Sequence, residues 1–237
     1  MQLYFIRHAQ SANNKLYDET GSWSGRDVDP GLTEAGHQQA QRLAEHLARA
    51  NGETPLHDYA NRQGFGVTHL YTSPMLRAIL TGAYIAESLS LPLTVWEDWH
   101  EIGGVIAIRE NGEREGQPGA TRSDLSSRFP DLILPESLSE EGWWSRPPES
   151  IEQQLERARH LVRDLMTRHG RSEDRVAVIS HGGFYNFFLT ALLDTAPGDG
   201  FWFTLNNTGL TRLDFREEGI ALTYANRLEH LPADLIT

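Results

Sequence analysis

The chain has 237 residues, 39% of them hydrophobic, which is enough to bury the core of one large α/β domain. It contains no cysteine, so a disulfide framework, a thiolate metal site and a cysteine nucleophile are excluded. A formal charge of −12 sets net repulsion against a polynucleotide, while a locally positive cleft stays open to a small anionic substrate.

Residues 3–6 are apolar and aromatic and read as a buried strand, met at once by Arg7 and His8. No long apolar region follows, so the start does not read as a secretory leader. No stretch reaches the roughly 20 apolar residues of a membrane helix. A soluble, cytoplasmic protein is expected, with no membrane or nucleic-acid partner. Residues 13–31, rich in Asn, Gly, Ser and Asp, read as loop. Thr33 caps a helix with Ala40, Leu43, Ala44, Leu47 and Ala48 on one face. Residues 51–66 read as loop, and 67–72 as a second strand.

Ser73 and Pro74 suit the N-cap and first position of a helix running to about Leu89. Residues 91–96 form a third strand. Residues 103–148 lack sustained periodicity but hold Phe129, Ile133, Leu134, Trp143 and Trp144, too apolar for disorder; they read as a folded, lid-like insertion. Ser150 and Gln153 form a capping box before a helix that turns Ile151, Leu155, Ala158, Val162 and Leu165 inward. Residues 175–180 form a central strand and 182–193 an apolar helix. Asn206-Asn207-Thr208 matches a glycosylation acceptor but reads as a turn. Residues 208–215 and 220–225 close the chain as a hairpin. The alternation predicts a single α/β domain over 1–237: a three-layer sandwich, its mostly parallel sheet covered by helices on both faces, with the insertion at about 103–148.

Three polar clusters each follow a predicted strand: Arg7-His8, Ser73-Pro74 with Arg77, and His181-Gly182-Gly183. Ligands in open α/β sheets bind outside the carboxyl ends of the strands, so the clusters are expected to converge. Arg77 sits in the first turn of its helix, where side chains lean back toward the N-terminus and the strand end. Gly182 begins a helix whose free N–H groups suit an anion. Two arginines recognise phosphate oxygens bidentately, and fixed cations favour a neutral, nucleophilic histidine.

In these motifs the sequence resembles the histidine phosphatase superfamily, also called phosphoglycerate-mutase-like. Arg7-His8-Ala9-Gln10-Ser11 followed by Asn14, Leu32-Thr33-Glu34-Ala35-Gly36, Ser73 to Arg77-Ala78, Glu101 and Ser180-His181-Gly182-Gly183 match its motifs in order. Ala9 stands where the family most often has Gly. The resemblance implies that His8 is the phosphorylated nucleophile. Arg7, Arg77 and His181 are then the phosphate pocket, Ser11 and Asn14 further contacts, and Glu101 the proton donor. Arg122 or Arg109 in the insertion is expected at the substrate's far end. Neither a metal nor another cofactor is expected. The implied function is a phosphomonoesterase acting on a small phosphate ester. The alternatives are a phosphoglycerate-mutase-type phosphotransferase and a catalytically weak phosphate-binding protein.

Other chemistries lack their motifs. His100-Glu101 is half of a zinc signature whose second histidine is missing, because residue 104 is Gly. His37, His46, His57, His69, His160, His169 and His230 are scattered and fit exposed positions. No Gly-x-Ser-x-Gly and no Gly-x-Gly-x-x-Gly after a strand occurs.

Overall fold

The computed structural model describes residues 1–50, 55, 58–109, 111–195 and 201–237, so His57 lies outside the described residues. Strands β1 (Gln2–Arg7), β2 (His69–Thr72), β3 (Leu93–Val95), β6 (Arg175–Ser180), β7 (Leu210–Arg216) and β8 (Gly219–Arg227) form one sheet in the order β3-β2-β6-β1-β7-β8. The first four are mutually parallel, and β7 and β8 complete the edge antiparallel. A smaller hairpin pairs β4 (Ile106–Ile108) with β5 (Arg114–Gly116).

Side chains alternate across a strand, and here both faces are covered. Leu3, Phe5, Val176 and Val178 pack on helices α5 (Ile151–His169) and α6 (Gly182–Leu193). Tyr4, Ile6, Ala177 and Ile179 pack on α2 (Glu34–Ala48) and α3 (Leu76–Leu89). The three-layer α/β expectation holds. At the helix ends, Ile151 and Ala48 face solvent instead of the core.

Two local expectations are corrected. Within the expected loop 13–31, Ala12–Thr20 is a helix, α1. Its sequence is polar and lacks a hydrophobic stripe, so caps rather than burial define it. Ser11 and Asn14 form a reciprocal box at one end, and Gly21, at φ 64°, ends it in the left-handed region. Helix α3 starts at Leu76, not at Ser73-Pro74, and its N-cap, Met75, makes no side-chain bond. The free N–H of Leu76 instead donates to both carboxylate oxygens of Asp29, at 3.1 and 3.2 Å. A remote carboxylate thus does the work expected of Ser73, whose hydroxyl is used elsewhere.

Residues 103–148 are ordered around their aromatic side chains. Trp144 packs with Met75 and Val105, and Leu125 of α4 (Arg122–Arg128) packs with Ile79 and Leu138. Gly104 sits at φ 81° under the Trp144 ring, where an added Cβ would come within 2.2 Å of Cζ2. Ile133 pairs its backbone with β3 and covers that edge of the sheet.

Arg157 ties the chain on either side of this segment to α5. Its guanidinium makes two bonds to the buried Glu149 carboxylate (2.9 and 2.8 Å) and donates to the carbonyls of Asp98 (2.6 Å) and His100 (3.0 Å). It thereby holds the backbone leading into Glu101. Removing one partner of a buried pair leaves an uncompensated charge and costs about 3–5 kcal/mol. Arg157→Met should therefore lower the unfolding free energy by about that amount, and adding Glu149→Met should restore much of it. Urea titration measures both; equal stability of the single variant and the parent would remove this role.

Candidate active site

Adjacent parallel strands set the site. The N–H of His8 donates to Ser180 O (2.9 Å) as β1 leaves the sheet beside β6, and the N–H of Ser73 donates to Ile179 O (3.0 Å) as β2 leaves on the other side. His8, His181 and Ser73 therefore stand side by side at the carboxyl edge, as the motif positions predict. A second layer braces the loop that follows β1. Gln39 accepts from the Gln10 N–H at 2.7 Å, and Thr33 N–H donates to Gln10 O. Gly36 lies so close that a Cβ would fall 2.1 Å from Gln10 O, which explains the glycine of the Leu32 to Gly36 segment. Asn207, fully buried, donates to the carbonyl of His8 at 2.9 Å. The turn at residues 206–208 is held by that contact.

The histidine tautomer follows from its partner. His8 Nδ1 is 2.7 Å from Ala9 O, and a carbonyl only accepts, so Nδ1 carries the proton and Nε2 the lone pair. Arg77 Nε donates to that lone pair at 3.1 Å. Arg77 also lies 3.6 Å from Asp29, which ties the cap of α3 to the site. The His8 and His181 rings are 5.0 Å apart. His181 Nε2 is 2.8 Å from Ser73 Oγ, while its Nδ1 is buried without a partner. Arg7 donates to Leu205 O, and its buried Nε is likewise unpartnered. Buried polar atoms without partners are rare, and the free Nε of Arg7, a residue that lines the cleft, marks a place prepared for an anion.

Ser11, Asn14, Glu101 and Gly182 line this cleft, whose volume is about 400 Å³, with Arg7, His8 and Arg77. Glu101 reaches it in an unexpected way. Its Oε1 accepts from the N–H groups of Ile102 (2.9 Å) and Phe184 (2.8 Å), and its Oε2 from Gly183 (3.3 Å). The acid thus occupies most of the helix N-terminus that the sequence offers to the phosphate, leaving the first turn at Gly182. Oε2, with one long bond, keeps acceptor capacity.

Arg122 is not part of the cleft. At the start of α4, its guanidinium donates to Leu138 O (2.9 Å) and to Pro135 O, closing the insertion on itself. Arg109 pairs with Glu115 on the exposed hairpin. The cations that do reach the cleft beyond the phosphate pocket are Arg26 and Arg114. Arg26, Asp29 and Leu205 carry no motif, and the acceptor match around Asn207 says nothing of its bond to His8; only packing reveals all four. Several histidines read as exposed are buried, among them His169 and His230. His69, His169 and Asp174 bring ligand atoms within 4.8 Å of one another at the opposite end of the sheet. There His169 Nδ1 donates to Asp174 (2.8 Å) and its Nε2 accepts from Tyr71 (3.1 Å), so hydrogen bonds account for the group.

Residues 3–227 match the histidine phosphatase superfamily (branch 1). The chain belongs to this superfamily. Among curated relatives, a 2,3-bisphosphoglycerate-dependent phosphoglycerate mutase of Latilactobacillus sakei is 35% identical over 95 residues, 39% of this chain and 33% of that protein. A probable phosphatase of Schizosaccharomyces pombe is 25% identical over 195 residues, 81% of this chain and 56% of that one. The chain thus spans only a third to somewhat over half of these two relatives. Two solved structures share the superfamily fold: a phosphoserine phosphatase mutant of Entamoeba histolytica in complex with phosphoserine (TM-score 0.61, 22% identity, 98% and 99% of the two chains) and a mycobacterial glucosyl-3-phosphoglycerate phosphatase (TM-score 0.59, 20% identity, 96% and 99%). No helix of the described residues is long and apolar enough to cross a membrane.

Burial is the larger cause of the neutral histidines here, ahead of the neighbouring cations. It pushes His8 well below the ordinary imidazole range, with Arg77 and Arg7 adding to it. His181 is lowered likewise by burial and then Arg77, His100 by burial and then Arg157, and His230 to about 3 by burial and then His46. The unfolded chain takes up a proton on each near pH 6.5, and the folded chain does so only at lower pH. Stability is therefore full above pH 6.5 and falls as pH drops toward the folded values. Each histidine contributes at most about 1.4 kcal/mol per pH unit. Urea midpoints should be level above pH 7 and decline steeply as pH falls from about 6.5 toward 4.5; a flat profile across that range would mean that these histidines take up protons as readily in the native state as in the unfolded one.

Proposed function

We propose that this protein is a phosphomonoesterase that works through a phosphohistidine at His8. The observation that carries the reading is the His8 Nε2 lone pair, held by Arg77 Nε beside a buried Arg7 whose Nε has no partner. When a phosphate ester enters, Arg77 Nε turns from His8 to a phosphoryl oxygen, and Arg7 and His181 take the others. His8 Nε2 attacks phosphorus, an N–P bond forms and the P–O bond to the alcohol breaks. Glu101, protonated at Oε2, gives its proton to the departing oxygen. Water, losing a proton to the same carboxylate, then attacks phosphorus; the N–P bond breaks and phosphate leaves. The two arginines supply the charge stabilisation for which other phosphatases use a metal.

The mutase reading shares every step up to the phosphohistidine. Arg26 and Arg114 favour it more than the sequence does, since the residues following Glu101 are largely apolar. The hydrolytic outcome is supported by the apolar side chains of the mouth, Trp23, Ile106, Ile108, Trp202 and Phe203, which offer few hydrogen bonds to a small dephosphorylated acid beyond those of Arg26 and Arg114. The fold-sharing phosphatases lend the same support.

Incubation with a labelled phosphomonoester and an alkaline quench should leave acid-labile label on the peptide carrying His8, and His8→Ala should abolish both label and turnover. Near-normal turnover by that variant would sink the mechanism. When the chain is given 3-phosphoglycerate with its bisphosphorylated primer, free phosphate should appear faster than 2-phosphoglycerate; the reverse order makes it a mutase.

A general acid matters most when the leaving oxygen is basic, and its loss typically costs about 10²–10⁴-fold. Glu101→Gln should therefore slow an alkyl phosphate by that much and a nitrophenyl phosphate far less. Equal losses on the two would remove Glu101 from proton transfer.

A further inference from the structure

The phosphate pocket uses only the floor of the cleft. A water-sized share of liquid is about 30 Å³ and a phosphoryl group needs a few such shares, so most of the roughly 400 Å³ is left for the alcohol part of the substrate. What lines that remainder is a set of apolar and aromatic side chains, with Arg26 and Arg114 among them. Trp23, from the segment after α1, contributes one wall and is 41% exposed; Trp202, from the segment before β7, contributes another and is 59% exposed. Ile106 and Ile108 of the β4–β5 hairpin and Phe203 add to the same surface.

Exposed large apolar side chains on a folded chain are ordinarily scattered singly. Here Trp23, Ile108, Trp202 and Phe203 come from three separate segments to one concave mouth, above the phosphate pocket. Trp23 is also held in place before any ligand arrives. Tyr17 stacks behind it, with ring centroids 4.4 Å apart and planes 21° apart, and the Arg26 guanidinium lies 5.6 Å from its ring centre. A pre-ordered aromatic face loses little conformational freedom on binding. Arg26 and Arg114 meanwhile draw anionic esters into the mouth of an otherwise acidic protein.

Resting on the phosphomonoesterase reading above, we propose that the substrates of this cleft are monoesters of a bulky apolar or aromatic alcohol, whose body lies against Trp23 and Trp202 while its phosphate sits on Arg7, His8 and Arg77. A short carboxylated alcohol would fill the floor and leave these walls wet.

The test compares esters whose leaving oxygens are equally basic, so that chemistry cancels. 2-(2-Naphthyl)ethyl phosphate and ethyl phosphate are such a pair, and 3-phosphoglycerate and phosphoserine serve as short acidic competitors. The naphthyl ester should exceed ethyl phosphate by about tenfold or more in kcat/KM, chiefly through KM. Trp202→Ala and Trp23→Ala should each cut that ratio by about fivefold, measured within one variant so that any general loss of activity divides out. A ratio near one, or a higher kcat/KM for 3-phosphoglycerate or phosphoserine than for the naphthyl ester, overturns the proposal while leaving the phosphatase reading intact. So does an unchanged ratio in variants whose elution by size-exclusion chromatography shifts, which would make the aromatic mouth a contact between copies of the chain. Failure of the phosphatase reading is separate: no ester is then turned over, or His8→Ala turns over all of them.

Discussion

Parallel pairing of β1 with β6, and of β6 with β2, is the constraint on which the rest of the structure depends. Three chain segments far apart in sequence leave the same edge of the sheet as neighbours, so their next residues have to share one small volume. Those residues are His8, His181 and Ser73, and the helix that follows β2 turns Arg77 back onto them. The helices on both faces close the sides of that volume. What gathers there is excess positive charge and imidazole, in a place with little water to screen it.

Concentrating cations in this way is unfavourable until an anion arrives, and the surrounding structure shows how the tension is held. Asp29 caps α3 and balances Arg77 with the same carboxylate. The backbone carbonyl of Leu205 engages Arg7 without neutralising it. Glu101 is pinned by three N–H groups at and beside the start of α6, which fixes the acid at the rim of the phosphate pocket rather than inside it. Burial, ahead of the neighbouring cations, lowers the proton affinity of His8 and His181 and favours their neutral forms. The same burial makes the fold sensitive to acid: the surroundings that favour a neutral His8 are the ones that weaken the folded state when protons are plentiful.

The insertion adds an outer layer to the cleft above the residues gathered at the sheet edge. Its inner aromatic residues, Trp144 and Leu125 with their neighbours, anchor it to the body of the fold. Arg157 and Glu149 clamp the backbone between β3 and Glu101. Its outer hairpin is then free to present Ile106, Ile108 and Arg114 to the cleft without disturbing the residues beneath.

How much of this was legible depends on the range of the interaction involved. The alternation of apolar strands and amphipathic helices determined the layered α/β sandwich, because burying period-2 and period-3.6 faces leaves few other solutions. Motifs placed directly after strands determined the meeting of Arg7, His8, Arg77 and His181, because a parallel sheet brings strand ends to one edge. Short-range rules failed where a partner came from elsewhere: the cap of α3 is Asp29 rather than Ser73, and α1 forms on its caps inside a segment that reads as loop. Arg122 illustrates the limit most clearly. Its residue type suits a phosphate, yet the carbonyls of Pro135 and Leu138 hold it inside the insertion, while Arg26 and Arg114, marked by no motif, line the cleft. The sequence by itself determined the fold class and the chemistry-bearing core of the site, since both follow from periodicity and from position relative to strands. Only the tertiary structure decided which side chains beyond that core face the substrate, since this depends on contacts between segments whose spacing along the chain carries no record of their distance in space.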